Sequence, residues 1–320
     1  MRRTAPLIAL LALALTACEK EITVDLPVTE PRLVVEGTIA EGSPAIVILT
    51  RTQSYFAPTD LQSIASIFVK DALVIVSDGI TIDTLDQVCS SAIPDSLLDE
   101  ASAATGLDPA LLASADICLY TDLGGQLDGV SGGTYSLFIV ANGDTVTSTT
   151  TIPAPVALDS TWFRLAQAEP DDDTLGLVWA RLSDPPTLGN AYRWYAKRIN
   201  DGTDGEDKDD RFIAPFFSVF EDRYVNGLTF DFNYNRGSDP FAEVDVEDVE
   251  NGFFKVGDTV VVRFASIGQP EYQFYNTWYN NVASQGDLFS NPANARSNIT
   301  DGLGVWAGYS YTYDTVVCQP

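Results

Sequence analysis

The first residues to weigh are those that could attack, protonate or ligate. Gly129-Val130-Ser131-Gly132-Gly133 satisfies G-x-S-x-G. That turn presents a nucleophilic hydroxyl when a strand precedes it, a helix follows it and a His takes its proton. The chain has no His at all. Its absence removes the His-based triads, the H-E-x-x-H metalloproteases and the commonest metal ligand together. A strand-like run, residues 135–141, follows Ser131, so these glycines read as a turn. Gly302-Leu303-Gly304, with Gly308 beyond, has a dinucleotide-like spacing but no strand–turn–helix setting. It too reads as turn glycines. Carboxylates can do acid–base work without His, and a pair about 5–10 Å apart across a cleft would serve a glycan hydrolase. That is the least favoured reading, and the sequence assigns no catalytic residue. Asp171-Asp172-Asp173 and the acidic stretches 201–210 and 243–250 gather the hard oxygens that Ca²⁺ takes. Their spacing is not that of an EF-hand. Solvated loops account for them, so no metal ligands are assigned and Ca²⁺ is the one cofactor left open.

Aromatic residues form the other candidate chemistry. Tyr192-Arg193-Trp194-Tyr195, Phe216-Phe217, and Trp306 with Tyr309, Tyr311 and Tyr313 have the character of pocket linings. Tyr192, Trp194, Trp306 and Tyr309 are taken as candidate ligand-lining residues. The same side chains fill cores more often than pockets. Alternation puts Tyr309, Tyr311 and Tyr313 on one face of a strand.

The N-terminus reads as an address. Met1-Arg2-Arg3 is cationic, residues 6–15 are apolar, and Leu15-Thr16-Ala17-Cys18 follows. The pattern predicts a signal peptide over 1–17 whose apolar run is too short to span a bilayer. The last four residues resemble a bacterial lipobox, which makes Cys18 the lipid attachment site and residues 18–28 a tether. Glu19-Lys20-Glu21 resembles the export signal of lipoproteins on the outer face of the Bacteroidota outer membrane. Several acyl chains would hold such a protein stably.

Three other cysteines remain. Cys89 and Cys118 bracket one segment and are paired as a candidate disulfide, which an extracytoplasmic compartment permits. Cys318 is left free or frayed.

The elements that must position these residues are mostly strands. Short β-branched runs at 32–37, 45–50, 72–77 and 135–152 carry Asp78-Gly79 and Asn142-Gly143, the dipeptides of two-residue hairpins. They predict an Ig-like antiparallel sandwich over 29–155. Residues 90–117 interrupt it with two short helices. From residue 156 the composition shifts: 28 of 34 aromatic residues lie there, with all five Trp. A second β domain is expected over 156–320. It includes a helix near 271–285, where Phe274, Tyr275, Trp278, Tyr279 and Val282 share one face, Pro270 fits N1 and Gly286 fits C′.

Composition narrows the partners. The chain has 320 residues, 18 Lys+Arg against 45 Asp+Glu, and a net charge of −27. A nucleic-acid partner needs a basic face, so none is expected.

Several stretches together resemble the Bacteroidota lipoprotein family known as domain of unknown function 4249. They are Cys18-Glu19-Lys20-Glu21, Pro31-Arg32-Leu33-Val34-Val35-Glu36-Gly37, residues 45–50 with Tyr55-Phe56, and Gly257-Asp258-Thr259-Val260-Val261-Val262. At the C-terminus they continue with Phe289-Ser290-Asn291-Pro292, Ser297-Asn298-Ile299 and Gly302-Leu303-Gly304-Val305-Trp306. The insert at 90–117 is additional. The resemblance implies a surface lipoprotein encoded beside TonB-dependent transporters, with no catalytic residues to transfer. The expected function is therefore non-enzymatic: substrate capture or an accessory role at a TonB-dependent transporter in the outer membrane. The alternative is a structural or adhesive surface protein without a small-molecule ligand.

Overall fold

The computed structural model describes residues 30–54, 60–105, 107, 109–166, 174–200, 202, 207–237, 250, 252–284 and 294–320. Cys18, Tyr55, Phe56, Gly286 and most of the acidic stretches lie outside them. The fold is mainly β, with several antiparallel sheets and few helices. No described helix is long and apolar enough to cross a membrane.

One eight-stranded sheet organises the chain. Its strands are β1 (Leu33–Ala40), β2 (Ile46–Arg51), β5 (Asp86–Cys89), β6 (Cys118–Thr121), β11 (Ala191–Arg198), β12 (Val219–Glu221), β15 (Thr259–Ile267) and β16 (Leu303–Val317). They lie in the order β12-β11-β15-β16-β1-β2-β6-β5. A four-stranded sheet joins β3 (Leu73–Ser77), β4 (Ile82–Thr84), β7 (Thr134–Ala141) and β8 (Asp144–Thr151). Another joins β9 (Ser160–Leu165), β10 (Leu175–Ser183), β13 (Thr229–Tyr234) and β14 (Phe254–Lys255).

Both smaller sheets pack on the same face of the large one. Val35, Val47, Leu49, Val74, Val76, Leu137 and Trp306 share one core; Trp194, Val262 and Phe264 share the next with Val178 and Leu182. The alternation of strand residues produces this directly, since i, i+2, i+4 line one face.

The boundary expected at residue 155 does not divide the large sheet. β16 pairs in parallel with β1, from Val34↔Leu303 to Ala40↔Tyr309, and antiparallel with β15. Residues 31–320 form one compact unit. Local propensity cannot reveal a pairing between residues this far apart in sequence, which is why the change in composition was read as a boundary.

Local signals fare unevenly. Asn142 and Gly143 both take positive φ and close a two-residue hairpin between β7 and β8. At Asp78-Gly79 only Gly79 does, and the loop is longer. There the Asp78 carboxylate accepts from the backbone N–H groups of Ile80 and Thr81, an Asx-type closure that substitutes for the tight turn. The insert holds α2 (Leu98–Thr105) and α3 (Pro109–Ser114), after α1 (Leu61–Ser66).

A disulfide joins Cys89 and Cys118, the two cysteines paired from the sequence, on neighbouring strands β5 and β6. It closes the insert across a separation of 29 residues. Replacing both cysteines with Ser is expected to lower stability by about 3–4 kcal/mol in the chain-entropy account. Denaturant unfolding of the two forms checks this. Cys318 is free but not frayed. It is buried, its N–H donates to the Asp258 carbonyl, and its carbonyl accepts from Gly257. Burial, helped by the nearby Asp258 charge, pushes its thiol up to about 12.

Candidate ligand-binding face

The opposite face of the large sheet has a different composition. Its side chains are set by strand register. β11·β15 pairing puts Arg193 beside Ala265 and Tyr195 beside Arg263. β15·β16 pairing continues those rows to Tyr311 and Tyr313. One row reads Arg193–Ala265–Tyr311, and the next reads Tyr195–Arg263–Tyr313. Helix α4 (Gln269–Ala283) packs across this face and adds Tyr275 and Tyr279. Gly268 is its N-cap, so the helix begins before Pro270. Its C-cap is Ser284.

These neighbours form a ladder of rings and guanidinium groups. Arg193 stands 3.8 Å from the Tyr275 ring centre and 4.9 Å from that of Tyr195. Arg263 stands 4.3 Å from Tyr195, 4.3 Å from Phe212 and 4.9 Å from Tyr311. Tyr195 thus contacts both cations. Each such contact is worth about 0.5–2 kcal/mol, more as water is excluded. Arg193 also donates to the hydroxyl oxygens of Tyr279 at 3.2 Å and Tyr309 at 3.5 Å. Tyr275 and Tyr309 share a hydroxyl–hydroxyl bond. The arrangement fixes both guanidinium planes before any ligand arrives.

The electrostatics of this face are unusual for so acidic a chain. Elsewhere cations meet carboxylates: Arg51 with Asp144, Arg181 with Asp231, Lys197 with Asp207, Arg198 with Asp209, Lys208 with Asp258 and Arg236 with Asp209. Arg193 and Arg263 have no ion pair among the described residues, and the buried Nε of each has no hydrogen-bond partner. Burial works against the Arg193 charge, but the surrounding tyrosines outweigh it and hold its pKa well above the ordinary value. Burial raises the Tyr309, Tyr311 and Tyr275 hydroxyls, so they stay neutral donors. Glu36, on β1, presents an exposed carboxyl to the same face. The protein around it raises its pKa, and Arg193 pulls the other way.

In the first turn of α4, Glu271 is 1% exposed. One carboxyl oxygen accepts from the Thr150 hydroxyl at 2.6 Å, and the other is buried without a partner. Burial raises its pKa, with the Thr150 hydroxyl and its own backbone N–H opposing. A raised folded-state pKa means the stabilisation is complete below the unfolded value. It is lost as pH rises through the folded value. Glu271→Gln removes that titration. Its melting temperature relative to the parent is expected to climb as pH rises above the ordinary carboxylate range, as thermal denaturation over a pH series checks.

The four aromatic residues singled out from the sequence are all buried. Tyr192, Trp194 and Trp306 are fully buried on the face packed against the smaller sheets, and Tyr309 is 2% exposed. Tyr192 and Trp194 stack among Phe220, Phe232 and Phe264. Only Tyr309 belongs to the arginine face, through its hydroxyl. Tyr309, Tyr311 and Tyr313 do share one face, in a run of ring contacts. Sequence reading passed over Arg193 and Arg263 themselves. The signal was present: each is a lone Arg flanked by apolar or aromatic residues, Tyr192-Arg193-Trp194 and Val262-Arg263-Phe264.

The other candidates resolve simply. The Ser131 hydroxyl bonds the Pro153 carbonyl inside a turn with Gly132 at positive φ. In the acidic stretch 201–210, the described Asp207 and Asp209 pair with Lys197 and Arg198. Among the described residues the one Cys/Asp/Glu cluster of metal-ligand proximity contains the disulfide cysteines Cys89 and Cys118, with Asp116. A depression of about 190 Å³ in the insert, bordered by Ser90, Ile93, Leu112 and Asp116, is below the usual ligand-pocket range of roughly 300–1,000 Å³.

Comparison with known proteins gives one extensive match. The profile of a family described as "Domain of unknown function (DUF4249)" matches residues 19–315. No curated protein sequence matches the chain. Among solved structures, that of a cycloalternan-degrading enzyme from Trueperella pyogenes in complex with cycloalternan is similar at 10% identity and a TM-score of 0.22. The match covers 87% of this chain and 33% of that one, so this chain spans about a third of its length.

Proposed function

From the premise that this chain belongs to the DUF4249 family, as the match over residues 19–315 shows, we propose a lipid-anchored outer-membrane surface protein that captures a ligand for a TonB-dependent transporter. Capture is binding without chemistry. The observation that carries it is the pair of arginines on one sheet face. Arg193 and Arg263 are held by aromatic rings and left without carboxylate partners among the described residues, in a chain of net charge −27. A scaffold stabilised only by packing gains nothing from leaving guanidinium N–H groups unbonded, because each enclosed donor without a partner costs about 1–3 kcal/mol. A binding face gains a preorganised recognition surface.

The lipobox ending at Cys18 and the acidic residues after it support the surface anchor. They also leave the folded body on a tether beside the membrane. The test is affinity purification of the native protein from outer membranes of its host, with mass spectrometry of proteins and small molecules. A β-barrel transporter and a bound small molecule are the expected companions. Recovery of the lipoprotein alone, or an unlipidated Cys18, would overturn the reading.

A further inference from the structure

We infer that the captured ligand carries an oxyanion, a carboxylate or a phosphate, and that Arg193 and Arg263 together form its seat. This deepens the capture reading and rests on it.

The geometry leads there in three steps. The two arginines are diagonal neighbours on adjacent strands, since Arg193 pairs with Ala265 and Tyr195 pairs with Arg263. Diagonal residues on one sheet face lie about 7–8 Å apart, within reach of long side chains converging on one group. Second, both arginines keep donors that no described group satisfies. Arg263 makes ring contacts only, so its planar fork of five N–H groups has no acceptor among the described residues. Arg193 spends two nitrogens on tyrosine hydroxyls and leaves Nε unbonded. Third, the fork is rigid. Tyr195, Phe212 and Tyr311 fix the Arg263 plane, and Tyr275 with Tyr195 fixes that of Arg193. A guanidinium so placed matches carboxylate and phosphate oxygens two at a time.

The neighbouring tyrosines remain neutral, so no anion competes within the ladder itself. The Glu36 carboxyl lies on the same face within Coulombic reach of Arg193, without an ion pair to it.

The experiment is calorimetric titration of the full-length protein in detergent with inorganic phosphate, with benzoate, and with benzamide. Benzamide has the shape of benzoate and no charge. The phosphate and benzoate arms distinguish the two sources of the oxyanion. The parent is expected to bind one or both anions, weakened by added salt, and to ignore benzamide. Arg193→Gln and Arg263→Gln should each lower affinity about 10-fold or more, the loss expected for a charge-assisted hydrogen bond. Where a variant does not melt cooperatively, the parent's arginine Nε–H signals carry the test, because phosphate or benzoate must shift those of Arg193 and Arg263. No binding of either anion at about 10 mM, a concentration that fills even a millimolar site, overturns the proposal. So does binding unchanged in both variants, or unmoved Nε–H signals. A transporter complex carrying a neutral molecule would leave capture standing and remove the oxyanion. Anion binding at the arginines without any transporter would do the reverse.

Discussion

Gly304→Ala is expected to abolish accumulation of folded protein. Gly304, the second residue of β16, has φ +100°, a conformation that side chains with a Cβ rarely adopt. A Cβ at this position would lie 1.9 Å from the Val35 carbonyl oxygen and 2.8 Å from its carbon. These are backbone atoms of β1, in the parallel pairing Val35↔Gly304 that joins the two halves of the chain. Neither strand can retreat without losing that ladder. Conformational strain alone costs about 1–3 kcal/mol. Gly257 supplies the control, because it has the same φ of +100° but open space where a Cβ would go. Gly257→Ala should therefore cost only the strain, and Gly304→Ala more than about 4–5 kcal/mol, beyond the usual range of single substitutions. Soluble yield and denaturant unfolding of the two variants measure the difference. A Gly304→Ala protein as stable as Gly257→Ala would show that β1 and β16 do not approach this closely.

Trp306→Ala is expected to destabilise the protein by about 3–5 kcal/mol, the range for emptying a large buried aromatic site. Trp306 is fully buried, and its ring lies under Gly37, where a Cβ would come within 2.7 Å of ring carbon Cε3. Its indole N–H donates to the Tyr135 carbonyl at 3.0 Å, tying β16 to β7 in the facing sheet. Asn298 brackets its backbone, accepting from the Trp306 N–H at 2.9 Å and donating to its carbonyl at 2.8 Å. The substitution thus leaves a cavity and removes a buried hydrogen bond between the two sheets together. Trp306→Phe keeps most of the volume and loses the N–H, so it should cost less, about 1–3 kcal/mol. Chemical denaturation of the three proteins orders them. Equal stability of the parent and Trp306→Ala would contradict the packing described. Ligand binding at Arg193 and Arg263 should survive Trp306→Phe, since Trp306 belongs to the opposite face of β16.

The two glycine motifs show how far sequence patterns reach. Gly302-Leu303-Gly304 was legible as structural rather than nucleotide-binding, because no strand–turn–helix surrounded it. What it was for could not be read: the crowding at Gly304 comes from Val35, which a local window does not contain. The G-x-S-x-G glycines follow the same logic. Gly129 faces the Ala40 carbonyl, where a Cβ would approach to 2.2 Å.

The aromatic residues divide the same way. Alternation correctly placed Tyr309, Tyr311 and Tyr313 on one face. It could not say which face would be covered by sheets and which by α4. Tyr192 and Trp194 stand one residue out of phase with Arg193 on β11, and so face the opposite side of the sheet.

Strand content, the Asn142-Gly143 hairpin, the helix near 271–285 and the interruption at 90–117 were determined by the sequence itself, because each depends on neighbours a few residues away. Three things were decided only by tertiary structure: the parallel seam between β1 and β16, the single sheet spanning the expected boundary, and the meeting of two arginines around Tyr195. Each joins segments distant along the chain. Alternation specifies which side chains share a face, but only pairing register specifies which of them touch.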